Sequence, residues 1–247
     1  FNQWDLVPPR ATPKGAASTD KDTLSLLADV DTRAKAIHEY REAVGNKTKF
    51  VDNILASTTY SQTAYTHPTA SLFGTYTGRM TYASKQGRNK AAVQTGFALH
   101  QIKRSPVYRR VLVPPDGFTL IEYDAAGQEY RFMALQSQDE TMLTMCQPGE
   151  DGHTYMGARI GGVPYARLRQ AVAAGDPQAK EARQLGKVAN LSLQYRTSAR
   201  RLRDVARTSY GVLLTEQQAV LAHQTYRETY IGVPQYWRSA ISTARSR

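Results

Sequence analysis

Thiol chemistry is almost missing from this sequence, which has one cysteine, Cys146. A single thiol excludes an internal disulfide and any cysteine-built zinc site, and it points to a reducing compartment. Long apolar runs are missing too. No stretch approaches the roughly 20 apolar residues that a membrane-spanning helix needs, and Phe1 opens no signal-peptide pattern. Acidic residues are scarce against basic ones, 21 to 32, which leaves a net charge of +11 and a pI near 9.8. An excess of this size suggests a polyanionic partner, nucleic acid first, because phosphates attract Lys and Arg through counterion release. There is neither an internal repeat nor a low-complexity run. At 247 residues the chain can bury a sizeable core, as one large domain or two small ones. Its start at Phe rather than Met suggests a piece of something longer.

Residues 1–17, rich in Pro, Gly and Ala, read as extended chain over a surface. A capping signal at Ser18-Thr19 opens a helical region with apolar spacing at Leu24, Leu27, Ala34 and Ile37, interrupted near Asp31 and continuing to about Leu55. The Thr/Tyr/Gly-rich segment Thr58–Leu99, with its basic tract Lys85–Lys90, reads as strands and loops facing a charged ligand. Tyr108–Val113, the turn Pro114-Pro115-Asp116-Gly117 and Phe118–Asp124 predict a strand–turn–strand that ends on an acid. A helix follows over Gln128–Gln138, and further helices over about 152–160, 165–174, 177–195, 198–209 and 216–229. The last is opened by the capping box Thr215-x-x-Gln218, and Gly232-Val-Pro234 then turns the chain. The segment that follows is helix-like up to Arg247.

Two features carry chemistry. The helix over 177–195 starts at Asp176-Pro177, a capping side chain followed by a proline whose missing N–H is harmless at the first helical position. At 100° per residue Arg183, Lys187, Asn190 and Gln194 share one polar sector flanked by Leu191, while Ala182, Leu185, Ala189 and Leu193 gather opposite. Two cations one turn apart over a polar stripe suit a triphosphate; a solvated basic face gives the same pattern. The second feature is Asp124, followed at once by small residues and a helix, a common position for a divalent cation in phosphate chemistry and also for a hairpin-end cap.

Several separate motifs resemble, in order, those of the family A (DNA polymerase I-like) DNA polymerases. Thr12-Pro-x-Gly15-x-x-Ser18-Thr19 and Glu39-Tyr40-Arg41 look like parts of the thumb. Thr77-Gly78-Arg79 resembles the template–primer contact element, and Leu99-His-Gln101-Ile-Lys-Arg104 the downstream Leu-Gln-Asn-Ile-Pro-x-Arg segment. Asp124-Ala-Ala-Gly-Gln-Glu129-Tyr-Arg131 resembles the first palm motif, and Asp151-Gly-His153-Thr154 the family's Asp-Ile-His-Thr. Arg183-x3-Lys187-x7-Tyr195 resembles the fingers helix, and Tyr226-Arg-Glu-Thr-Tyr230-Ile-Gly232-Val233 the corner after it. The match covers nearly the whole chain. It departs at Leu191, where most members carry Phe or Tyr, at Arg196, where a glycine usually stands, at Gly127 and at Lys103. Phage-borne members vary at the first of these, which is compatible with a phage origin.

The resemblance implies an α+β right-hand polymerase, mostly helical with an antiparallel palm sheet. It places the thumb at 1–57, a palm segment at 58–150, the fingers at 151–231 and a return toward the palm at 232–247. The second palm motif, with its His-Asp-Glu, is expected beyond residue 247. The implied activity is template-directed DNA synthesis by two-metal phosphoryl transfer, with Asp124 and the carbonyl of Ala125 as ligands to two Mg²⁺ ions. Arg183, Lys187 and His153 would bind the incoming triphosphate, and Gln128, Glu129, Leu191 and Tyr195 would surround the nucleotide, Glu129 as a steric gate against ribose. Tyr195 also fits a core position. Arg79 and Gln101 would read minor-groove acceptors; Arg104, Lys47, Lys49, Arg131 and Tyr195 would also contact DNA. Expected partners are primer–template DNA, dNTPs and a processivity factor or further polymerase segment, in the cytoplasm of a bacterial or phage-infected cell. A non-catalytic nucleic-acid-binding chain, with another polypeptide supplying the second carboxylate, fits the same residues.

Overall fold

The computed structural model describes residues 2–61, 65–83, 85–86, 93–94, 96–103 and 105–246. The chain divides into two compact units, Phe1–Glu122 and Tyr123–Arg247.

In the first unit, helices α1 (Lys21–Leu27) and α2 (Thr32–Asn46) pack together, and a wide turn over Lys47–Val51 leads into α3 (Asp52–Ser61). Leu24, Leu27, Ala34 and Phe50 are buried here. The start of α1 differs from the expected Ser18-Thr19 cap. Asp20 accepts the Thr23 N–H at 2.7 Å, and Ser18 Oγ accepts the Asp20 N–H at 3.2 Å, so the carboxylate caps and the hydroxyl braces it. The break near Asp31 is a second cap, since its Oδ1 accepts the N–H groups of Arg33 and Ala34. Two antiparallel two-stranded ribbons follow, β1 (Thr69–Ser71) with β2 (Thr81–Ala83) and β3 (Lys85–Gln86) with β4 (Val93–Gln94).

The strand–turn–strand expected over 108–124 does not form. Pro106 starts the short helix α4 (Pro106–Arg109), and only the turn remains, with Phe118 N–H donating to Pro115 O at 3.0 Å and Gly117 at φ +81°. The apolar residues that suggested strands have no apolar surface to face. Val113, Phe118, Ile121 and Tyr123 are 75%, 74%, 87% and 91% exposed, and an isolated two-stranded ribbon is at best marginal in water.

The second unit is helical throughout: α5 (Gln128–Ser137), α6 (Glu140–Met145), α7 (Gly152–Gly161), α8 (Tyr165–Ala173), α9 (Pro177–Leu193), α10 (Ala199–Tyr210), α11 (Glu216–Thr229) and α12 (Gly232–Arg245). Its starts are local. Asp176 accepts the Ala179 N–H at 2.7 Å, and the Thr215/Gln218 box is closed in both directions, at 2.9 and 3.1 Å. Gly232-Val-Pro234 opens α12 where a turn was expected, because Pro234 lies within the first helical turn, where no N–H is needed. Asp139, 5% exposed, accepts the Met142 N–H at 2.9 Å and the Gly232 N–H at 2.8 Å, capping α6 and tying down the start of α12. The core gathers Met142, Met156, Val188, Leu193, Leu202 and Tyr226. Helices α7 and α9 approach backbone to backbone: a Cβ on Gly157 would overlap the Ala182 carbonyl, and one on Gly186 the His153 carbonyl and Gly157 N.

Candidate functional site

Arg183 and Lys187 sit one turn apart on α9, both half-buried. The polar stripe expected beneath them is not a solvent face. Asn190 is 0% and Gln194 2% exposed, so the second half of α9 is enclosed on its polar side as well. These amides face protein groups: Asn190 Nδ2 donates to Gly152 O at 2.9 Å, and Gln194 Nε2 lies 3.4 Å from Glu129 Oε2.

The start of α7 supplies the other half of the site. Asp151 caps the helix through the N–H groups of His153 and Thr154, accepts the Thr154 hydroxyl at 2.7 Å and receives Arg183 Nε at 2.7 Å. Burial opposes ionisation of Asp151, but hydrogen bonds from Thr154 and Arg183 outweigh it and hold the carboxyl below its ordinary range. With Nε fixed to Asp151, the terminal guanidinium nitrogens of Arg183 remain available, as does Lys187, which has no hydrogen bond or ion pair among the described residues. Asp151 was visible in the sequence as an Asp before a helix start, but its reach across to α9 was not.

His153 completes the cluster. Burial lowers its pKa to about 4; Asp151 works the other way, and the Arg183 and Lys187 cations add to the lowering. Since the unfolded chain binds a proton on this residue below about pH 6.5 and the folded chain only below about 4, stability falls as pH falls through that window. Denaturant titrations from about pH 7 to about pH 5 should show a loss near 2 kcal/mol that His153→Gln largely removes; an unchanged slope in the variant would place the proton elsewhere.

A groove of about 360 Å³ opens beside this cluster, lined by Gly127, Tyr130, Arg131, Asp151, His153 and Arg183. Asp124 and Ala125 lie just before it, exposed in the irregular segment that leads into α5. Asp124 has no hydrogen bond or ion pair among the described residues. The described residues contain no group of three or more His, Cys, Asp or Glu able to hold a metal ion. The exposed Asp124 carboxylate, next to an Ala125 carbonyl that accepts one long hydrogen bond, from Gln128 N–H at 3.3 Å, still fits Mg²⁺, a hard cation usually held by one or two carboxylates together with substrate phosphates and water.

The remaining candidates scatter. Gln128 and Glu129 occupy the first turn of α5. Tyr195 is 61% exposed, which excludes the core position, and Leu191 is half-buried. Arg196 takes φ +58°, a left-handed conformation suited to the glycine that the resemblance led one to expect, at a cost of roughly 1–2 kcal/mol for a side chain. Arg131 donates to the carbonyls of Ala126 at 3.0 Å and Cys146 at 2.7 Å, so it braces the entry of α5. In the first unit Lys47 pairs with Asp52 at 2.7 Å, and Lys49 and Gln101 line a groove of about 500 Å³ with Arg41 and Lys103. Arg79 follows a turn closed by its own N–H on Thr75 Oγ1 at 2.9 Å. Arg104 and most of the tract Lys85–Lys90 lie outside the described residues.

No helix among the described residues is long and apolar enough to cross a membrane. The chain is similar to known proteins along its whole length. It is 26% identical to DNA polymerase I of Aquifex aeolicus over 219 residues, 89% of this chain and 33% of that protein. Against the thermostable DNA polymerase I of Thermus aquaticus it is 28% identical over 188 residues, 76% and 20%. Against the DNA polymerase of Bacillus phage SP01 it is 23% identical over 242 residues, 96% and 24%. It therefore spans a fifth to a third of these relatives. Its fold matches the POL domain of Pol1 from M. smegmatis, solved with DNA primer-template and dNTP, with a TM-score of 0.69 and 23% identity over 100% of this chain and 39% of that one. The mostly helical architecture and the small antiparallel ribbons are those of a polymerase domain. The model of DNA polymerase family A matches residues 1–247, so a chain that carries Arg183, Lys187 and His153 on two closely packed helices belongs to DNA polymerase family A.

Proposed function

We propose that this chain forms part of a template-directed DNA polymerase and that the groove beside α7 and α9 receives the triphosphate of the incoming dNTP. The observation that carries the reading is the pairing of Arg183 with Asp151: it fixes a guanidinium one turn from Lys187 and leaves both cations open to an anion. Arg183 meets phosphate oxygens through a planar fork and Lys187 as a point charge. Both contacts strengthen as negative charge builds on the departing pyrophosphate. Asp124 and the Ala125 carbonyl would hold Mg²⁺, which, when bound, neutralises phosphate charge and activates the primer hydroxyl. In the two-metal form of this reaction a second carboxylate is also required.

In this reading residues 1–57 act as thumb, 58–150 as a palm segment, 151–231 as fingers and 232–247 as the return toward the palm. Arg79, Gln101, Lys47 and Lys49 contact primer–template DNA, while Glu129, Gln128, Leu191 and Tyr195 surround the nucleotide. Glu129 gates against ribose. The test is transient kinetics of primer extension. Lys187→Ala and Arg183→Ala should each lower kcat/KM for dNTP by about a hundredfold, near 2.7 kcal/mol, and leave duplex affinity within about twofold. Weakened duplex binding with normal incorporation would make α9 a DNA contact instead.

A further inference from the structure

Asn190 is fully buried on α9, less than one turn beyond Lys187, and its amide nitrogen has two neighbours on α7: Gly152 O at 2.9 Å and His153 Nδ1 at 3.2 Å. We propose that Asn190 is a positioning residue that fixes His153 as an imidazole with its proton on Nε2, so that a neutral N–H donor faces the anion held by Arg183 and Lys187. This role rests on the triphosphate reading of the groove.

Hydrogen-bond direction decides the tautomer. Gly152 O can only accept, so the Asn190 atom against it must be the NH₂ group; the flipped amide would set oxygen against oxygen. The same NH₂ lies 3.2 Å from His153 Nδ1, and because an amide nitrogen can only donate, a hydrogen bond there requires Nδ1 to be the unprotonated nitrogen. Asn190 Oδ1 stays buried without a hydrogen-bond partner among the described residues in this orientation, so the NH₂ group is what ties the side chain to α7. The remaining nitrogen, Nε2, has no hydrogen-bond partner among the described residues and is not among the buried polar atoms that lack one, so it opens on the groove that His153 lines. Tyr130 meets the imidazole edge-on, with ring centroids 6.0 Å apart, and limits its rotation.

An imidazolium would need a proton on Nδ1 as well, against the Asn190 N–H, and would stand beside two cations already in place. Burial and those cations act in the same direction as the amide. Asp151 is the charged group that opposes them, and its carboxylate is engaged by Thr154 and Arg183. One helix thus carries both the cations for the phosphates and the amide that sets the neutral donor beside them.

Long-range ¹H–¹⁵N spectra of the histidine side chains test this directly, with His153 assigned by its absence in His153→Gln. The expected result is an unprotonated Nδ1 and a protonated Nε2, unchanged from about pH 8 to about pH 5.5, with a trans-hydrogen-bond nitrogen–nitrogen coupling between Asn190 Nδ2 and His153 Nδ1. The coupling is read in the unmutated protein, so the outcome does not depend on a variant that folds. A proton on Nδ1, or a midpoint near the ordinary histidine value, overturns the proposal. Where Asn190→Asp folds, its carboxylate should pull a proton onto Nδ1; an unmoved tautomer there removes Asn190 from the role. Inorganic tripolyphosphate then separates the two readings. Shifts at Nε2, Arg183 and Lys187 with Nδ1 constant support both. No shifts with the stated tautomer sink the triphosphate reading, and shifts with the opposite tautomer sink the role of Asn190 alone.

Discussion

Asp124→Ala is expected to reduce nucleotide incorporation by at least a thousandfold, roughly 4 kcal/mol of lost transition-state stabilisation, while duplex affinity and folding stay nearly unchanged. The size follows from the proposed role as the carboxylate that holds Mg²⁺ against the phosphates. The separation from folding follows from the structure. Asp124 is exposed and makes no ion pair or hydrogen bond among the described residues, so its removal should change stability by no more than about 0.5 kcal/mol. Duplex binding rests on basic residues elsewhere and should keep its salt dependence. Primer extension alongside a thermal melt and a duplex titration checks all three. Incorporation near the unmutated rate would sink the assignment of Asp124.

Gly186→Ala is expected to destabilise the second unit by about 3 kcal/mol, the upper end of what forced overpacking costs. Helix propensity alone predicts the opposite sign, a gain of up to about 1 kcal/mol for Gly→Ala in a helix interior. Contact decides between them. The new methyl would run into His153 O and Gly157 N, both backbone atoms of α7 that no side-chain rotation can move. Helices α7 and α9 must separate, and the separation would carry His153 and Asp151 away from Arg183. Gly162→Ala serves as the control. That glycine has φ +62° but nothing within 4 Å, so only backbone strain of about 1–2 kcal/mol applies there. Chemical denaturation of the two variants against the unmutated chain measures the difference. A neutral or stabilised Gly186→Ala would mean that α7 and α9 are not packed this closely.

The helical half of the chain was legible because its signals are local. Asp176-Pro177 and the Thr215/Gln218 box lie within a turn of the groups they cap, and the six helices expected between 128 and 229 form within two residues of those bounds, although α6 (Glu140–Met145) was not expected. The predicted hairpin over 108–124 failed for the complementary reason. β-prone residues on either side of a turn mark segments that could pair, but a ribbon is stable only where some other surface covers one of its faces.

Spacing along α9 put Arg183 and Lys187 together without any knowledge of the fold, since a period of 3.6 residues fixes neighbours one turn apart. The same spacing placed Asn190 and Gln194 on the open side with them, where they are not. Asn190 is covered by α7, which packs on α9 at a distance that two glycines permit, and Gln194 meets Glu129 of α5 and Trp237 of α12; nothing in the local pattern encodes those neighbours. The sequence by itself determined most helices of the second unit, the caps at Asp176 and Thr215, the pair of cations and the order of motifs that marks the family. Only the tertiary structure decided that Asp151 steadies Arg183 across 32 positions and that Asn190 meets His153 across 37. Those contacts belong to packing between helices, and a one-dimensional period has no information about a partner that far along the chain.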